Sequence, residues 1–132
     1  MINYECNPFS CDCLCTGSVP TSDLVLTWDS KVEFDWSGAG TRCSTVYNVY
    51  RFIGTRLPDL NHDGLADFYG SCLYSALVAT VASDASVPFP GYAAFYLVTG
   101  ESTAGESSLG TNSHGITRPN LSHCPTPPPP FP

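Results

Sequence analysis

The sequence predicts an all-β fold, a sandwich of two sheets, and three observations predict it. Apolar side chains alternate with polar ones from residue 24 onward: Leu24, Leu26 and Trp28, then Val32, Phe34 and Trp36 with Glu33 and Asp35 turned the other way. That period of two is the signature of half-buried strands. Two later runs, TVYNVYRF (45–52) and AAFYLVT (93–99), are β-branched and aromatic, the composition that favours a pleated surface. No stretch keeps a 3.6-residue period over a useful length, and turn residues separate the apolar runs, as in sandwiches and barrels.

Taken in order, residues 1–21 are a cysteine-rich lead with neither strand nor helix period. The sandwich occupies 22–124. Ser37-Gly38-Ala39-Gly40 is a turn between its first strands. A loop follows 45–52, and the apolar stretch 72–81 reads best as strand although 74–82 is ambiguous by composition. Val87-Pro88-Phe89-Pro90-Gly91 breaks the pattern before 93–99. The Ser/Gly-rich segment 100–115 reads as a hairpin that ends in Ile116-Thr117-Arg118. The tail 125–132, PTPPPPFP, must be polyproline II, a stiff linker or a docking arm.

The chain has 132 residues, enough for one domain with its own core. Its formal net charge is -7 and its one lysine is Lys31. Nucleic acid is thereby excluded as a partner, because phosphate needs Lys and Arg. No run reaches the ~18 apolar residues of a membrane helix, so no membrane insertion is expected. The seven cysteines, Cys6, Cys11, Cys13, Cys15, Cys43, Cys72 and Cys124, point to disulfides and an oxidising, extracellular or cell-surface location. Their spacing, C-x4-C-x-C-x-C without a second paired cluster, does not suit zinc. Seven is odd, so at least one cysteine is free, modified or bonded to another chain. The N-terminal MINYECNPF has neither the basic region nor the apolar core of a signal peptide. Export is therefore read from cysteines and composition.

The segment 59–67 carries the most chemistry. It reads D-x-N-x-D-G-x-x-D, with side-chain oxygens from Asp59, Asn61 and Asp63 at positions one, three and five. Gly64 permits the sharp turn, Leu65 offers its carbonyl, and Asp67 stands at position nine. Calcium wants six to eight oxygens and takes this order of ligands in EF-hand-type loops, which the segment resembles, as it does those of dockerins and thrombospondin type 3 repeats. Position twelve departs from them: a bidentate carboxylate is the rule, and Gly70 stands there. Asp84 and Glu101 are the substitutes the sequence offers. The plainer reading is a solvated acidic turn, for which Asn-His-Asp-Gly is good chemistry.

The remaining constellations are weak. His62, His114 and His123 meet no G-x-S-x-G elbow, and no phosphate-binding loop is present, so no enzyme is expected. The aromatic residues are either core or a sugar-binding face, and strand spacing favours core. Asn120-Leu121-Ser122 is a glycosylation sequon.

VEFDW (32–36), TVYNVYR (45–51) and AAFYLVTGESTAGES (93–107), in this order, resemble a fibronectin type III domain. Tyr69-Gly70-Ser71-Cys72-Leu73 and SLGTNSHGITRPN (108–120) followed by Cys124 resemble more closely a bacterial variant found at the ends of secreted proteins. The resemblance implies an immunoglobulin-like sandwich, a Cys72–Cys124 disulfide and a spacer or adhesion role. It does not cover the cysteine-rich lead or the acidic loop, and the partners of the other five cysteines stay open. The resulting expectation is an extracellular structural module, the repeating subunit of a surface filament, stabilised by disulfides and calcium and associating with itself or other extracellular proteins. The alternative is an adhesion or carbohydrate-binding accessory domain of a larger secreted protein.

Overall fold

The computed structural model describes residues 24–38, 44–102 and 105–125. The cysteine-rich lead, Cys6, Cys11, Cys13, Cys15 and Cys43, and the tail beyond Pro125 lie outside the described residues. The described chain is all-β, with strands β1 (Val25–Trp28), β2 (Glu33–Ser37), β3 (Val46–Gly54), β4 (Ser71–Leu77), β5 (Val81–Ser83), β6 (Ala93–Ser102) and β7 (Gly105–Glu106). They form two antiparallel sheets, one ordered β1-β2-β5 and the other β4-β3-β6-β7.

Alternation along the strands decides which side chains meet between the sheets. Phe34 and Trp36 of β2 face Tyr47 and Val49 of β3, and Leu26, Tyr96 and Val98 pack around them. Phe34 and Val49 are fully buried. Removing such a side chain from water stabilises by roughly 1.5–3 kcal/mol. Tilted and edge-on ring pairs link Phe34 to Trp36 at 6.1 Å and Trp36 to Tyr47 at 5.6 Å. The longest pairing joins β3 to β6 from Val46↔Glu101 to Gly54↔Ala93.

The other face of the four-stranded sheet is covered as well. Tyr50 of β3 is fully buried there, with Tyr69, Leu109 and Cys124. After β7 the chain leaves the sheet, crosses this face and is fastened by the Cys72–Cys124 disulfide, from β4 to the C-terminal segment. The pairing implied by the family resemblance is thus present. Arg118 tightens the crossing. Its guanidinium donates to the Leu109 carbonyl at 2.9 Å and lies 5.6 Å over the Tyr69 ring.

Two segments differ from the sequence reading. The run 72–81 divides into β4 and β5, which belong to different sheets, with exposed Val78 at the crossing. The pairing of β4 with β3 slips near this end, and Ala76 takes a left-handed φ of 56°. A bulge of this kind turns a strand out of its sheet. The single hairpin expected in 100–115, ending in 116–118, is instead two turns: β6 continues to Ser102 with β7 returning beside it for two residues, and a second antiparallel turn pairs Thr111 with Thr117.

Candidate metal centre

The acidic residues of 59–67 lie in the connection 55–70 between β3 and β4. Asp59, Asp63 and Asp67 each present a carboxylate oxygen within 4.8 Å of the others. Backbone N–H groups draw the acids inward. Asp59 accepts from Asp63 N–H at 3.2 Å and Gly64 N–H at 2.8 Å. Asp67 accepts from Leu60 N–H at 2.7 Å and Asn61 N–H at 3.3 Å. Asp63 accepts from Leu65 N–H at 2.8 Å, and Asn61 Oδ1 accepts from Asp63 N–H at 3.3 Å. The loop closes where Asp67 N–H donates to the Pro58 carbonyl at 2.8 Å.

His62 and Gly64 make the turn possible. Both have positive φ, 59° and 85°. Glycine takes that conformation freely, and histidine is among the residues that tolerate it. The His62 side chain is exposed. Partial burial would raise the Asp59 carboxyl. The donors from Gly64, Asp63 and His62 outweigh it and hold the group below the ordinary carboxylate value.

The fit to a hard cation can be judged on the donor set. A carboxylate oxygen has two lone pairs, so one that accepts an N–H can still face an ion. The three carboxylates supply the oxygen chemistry calcium takes, while Asn61 and the Leu65 carbonyl stand at further ligand positions of the sequence pattern alone. The twelfth position explains its own departure. Gly70 has φ 115°, and a Cβ there would stand 2.5 Å from the Arg51 carbonyl carbon. Close packing against β3 therefore excludes a carboxylate at this position. The substitutes suggested by sequence are engaged elsewhere. Asp84 binds Arg51, and Glu101 accepts from Asn48.

Those two acids belong to networks that sequence reasoning missed. Asp84 follows β5, while Arg51 and Tyr96 lie on β3 and β6, so their contacts tie one sheet to the other. Arg51 Nη1 donates to Asp84 Oδ2 at 2.7 Å and the Tyr96 hydroxyl to the same oxygen at 2.6 Å. Burial would raise the Asp84 carboxyl, but donors from Tyr96, Ser86 and Arg51 hold it well below the usual range. Tyr96 is pushed up to about 12, first by burial and then by Asp84.

On the covered outer face, Asn48 Nδ2 donates to Glu101 Oε1 at 3.0 Å and Glu106 Oε2 at 3.1 Å, while its Oδ1 accepts from Ala76 N–H at 3.0 Å. The Tyr50 hydroxyl donates to Glu106 at 2.5 Å and accepts from Cys124 N–H at 2.9 Å. An asparagine between the apolar and aromatic residues of β3 was the visible signal. Nothing local named its partners, which stand 28 to 58 positions away.

The remaining site residues are scattered. Asn120 is half-buried against this network, with its Oδ1 enclosed and unbonded. His114 is exposed, and His123 Nδ1 lies 3.5 Å from Glu106. Among the described residues no helix is long and apolar enough to cross a membrane. Of the aromatics considered for a sugar face, Trp36, Tyr47, Tyr50 and Tyr69 are core, whereas Trp28 is 43% and Tyr92 50% exposed. Comparison with family models, with curated proteins and with solved structures gives no match to this chain.

Proposed function

We propose that this chain is an extracellular, non-catalytic structural module that associates with copies of itself, and that a calcium ion pins its 55–70 connection. The observation that carries the calcium reading is the convergence of Asp59, Asp63 and Asp67 within 4.8 Å of one another. Three carboxylates so close, in a chain of net charge -7, repel one another, and a divalent cation would relieve that cost. The connection is anchored at both ends, because Leu57 and Ala66 pack against the Tyr50 and Tyr69 cluster. An ion at its tip would complete the fastening of a long loop.

Self-association is supported by cysteine arithmetic. Seven cysteines less the Cys72–Cys124 pair leaves five, an odd number, so at least one has no partner within the chain. In an oxidising compartment a bond to a second copy satisfies it. The fibronectin type III-like reading is supported by the strand order. The immunoglobulin constant arrangement places the first, second, fifth and fourth strands in one sheet, and here the fourth strand has crossed to pair with the third. Exposed Trp28 favours the second reading, a carbohydrate-binding accessory domain.

Thermal unfolding in calcium and in chelator tests the ion. Calcium at about a hundred times its dissociation constant should add about 2.7 kcal/mol. Asp63→Ala should abolish that increment while leaving the chelated protein folded. An identical midpoint for the wild-type protein in calcium and chelator would sink the calcium reading. Electron microscopy with and without reductant tests assembly: regular fibres support the filament, and dispersed particles at every concentration remove it.

A further inference from the structure

The groove beside Trp28 has chemistry that the sandwich core does not use. It has a volume of about 450 Å³ and is lined by Trp28 at the end of β1, by Ser30 and Lys31 of the β1–β2 turn, and by Pro88 and Tyr96 from the other side. The indole leans on Phe34 at 4.8 Å and stands edge-on to Tyr96 at 5.2 Å, yet it stays 43% exposed. Tyr96 is fixed in turn by its bond to buried Asp84. The result is a wall of two aromatic rings and a proline, with Asp84 and Ser86 at its polar side. Hydrogen-bond donors stand next to it. The Ser30 hydroxyl oxygen already accepts from Val32 and Glu33 N–H, which leaves its own O–H to donate, and the Lys31 side chain is exposed.

Polyproline II has the matching properties. Its rings are apolar and preorganised, and its carbonyls make no internal hydrogen bonds. Aromatic-lined grooves bind it for that reason. This chain carries a proline-rich sequence of that kind, PTPPPPFP at 125–132. We infer that the Trp28 groove of one copy receives the 125–132 segment of a second copy. The placement of Cys124 favours a neighbouring copy. It is bonded to Cys72 on the outer face of the four-stranded sheet, whereas the groove opens at the β1–β2 turn of the opposite sheet. A donor at one side and an acceptor at the other make a head-to-tail contact, which propagates into a filament unless it closes. This inference rests on the self-association reading and supplies its contact.

The test is sedimentation velocity of the full oxidised chain over a concentration series. It compares the wild type with Trp28→Ala and with a tail variant in which Pro127, Pro128, Pro129 and Pro130 are each changed to Gly. Both variants should associate at least about tenfold more weakly, the loss expected of a truncated aromatic anchor. A synthetic peptide of residues 125–132 should dissociate the wild-type assemblies and alter Trp fluorescence in the wild type but not in Trp28→Ala. The tail variant keeps the test decisive if Trp28→Ala fails to fold. Unchanged association of the tail variant overturns the groove contact and leaves self-association standing. A wild type that is monomeric at every concentration overturns both. A tail-dependent fluorescence change independent of concentration assigns the groove to the chain's own tail and overturns the second copy. Dissociation by soluble oligosaccharides, with no effect of the peptide, assigns the groove to sugar.

Discussion

Tyr47 and Val49 point from β3 into rings and alkyl groups supplied by the other sheet, while Asn48 and Tyr50, one residue along, point into carboxylates, hydroxyls and a disulfide-held segment. One strand thus serves two cores of different chemistry. The inter-sheet core is held by non-directional burial, which tolerates exchange of one apolar group for another of similar volume. The outer core depends on each donor meeting its acceptor, because a buried polar group left alone costs more than a bond contributes. The difference teaches where the molecule is sensitive to size and where to atom type.

Perturbing each core separately sharpens that contrast. The largest expected effect is Phe34→Ala, a loss of about 4 kcal/mol in denaturant unfolding, since a fully buried ring between the sheets leaves a cavity. Next is Cys72→Ser with Cys124→Ser. Opening a link across 52 positions should cost about 3 kcal/mol. Hydrogen exchange should then rise first over 107–124 and the outer face, with β2 protected longest. Uniform loss of protection would merge the two cores into one cooperative unit.

Smaller effects follow from single atoms. Tyr50→Phe keeps the ring but strips Glu106 of a donor and Cys124 N–H of its acceptor, and should cost about 2 kcal/mol. A Phe variant as stable as wild type would show that the outer core is held by its apolar surface after all. Titration adds a second readout. Burial, with Glu106 beside it, pushes the Tyr50 hydroxyl up to about 12, and Tyr96 is raised to about 12 as well. A raised folded-state pKa stabilises below the ordinary tyrosine value of about 10, and that stability is lost as pH rises through the folded-state value. Thermal midpoints should therefore fall between pH 10 and 12, and Tyr50→Phe should remove part of the fall. Asp84 acts with the opposite sign. Its depressed carboxyl stabilises above its ordinary 3.8 and loses that contribution as pH falls below it. The acid limb should be unchanged in Tyr50→Phe. The smallest effect is Ala76→Gly. Relief of a left-handed φ of 56° should gain about 0.5 kcal/mol, measured by the same unfolding curves.

The acidic loop shows how far a local pattern reaches. The spacing of Asp59, Asn61, Asp63 and Asp67 pointed to converging oxygens, and the three carboxylates do converge. Such ligands are neighbours in sequence, so the turn alone brings them together. The absent twelfth ligand had no local explanation. It lies in the contact of Gly70 with the Arg51 backbone, between strands that the sequence does not show as adjacent.

By itself, then, the sequence determined the periodicity of β2, β3 and β6, the turns between them, the oxygen-rich loop and the odd cysteine count, because each depends on residues within a few positions of one another. Tertiary structure alone decided that 72–81 would be shared between two sheets and that the outer face of β3 would be roofed by the C-terminal segment. It also decided that Asp84 would pair with Arg51 and that Trp28 would stay half in solvent. These outcomes depend on which surfaces meet after the chain has closed loops of tens of residues, and period-two alternation specifies a buried face without naming what buries it.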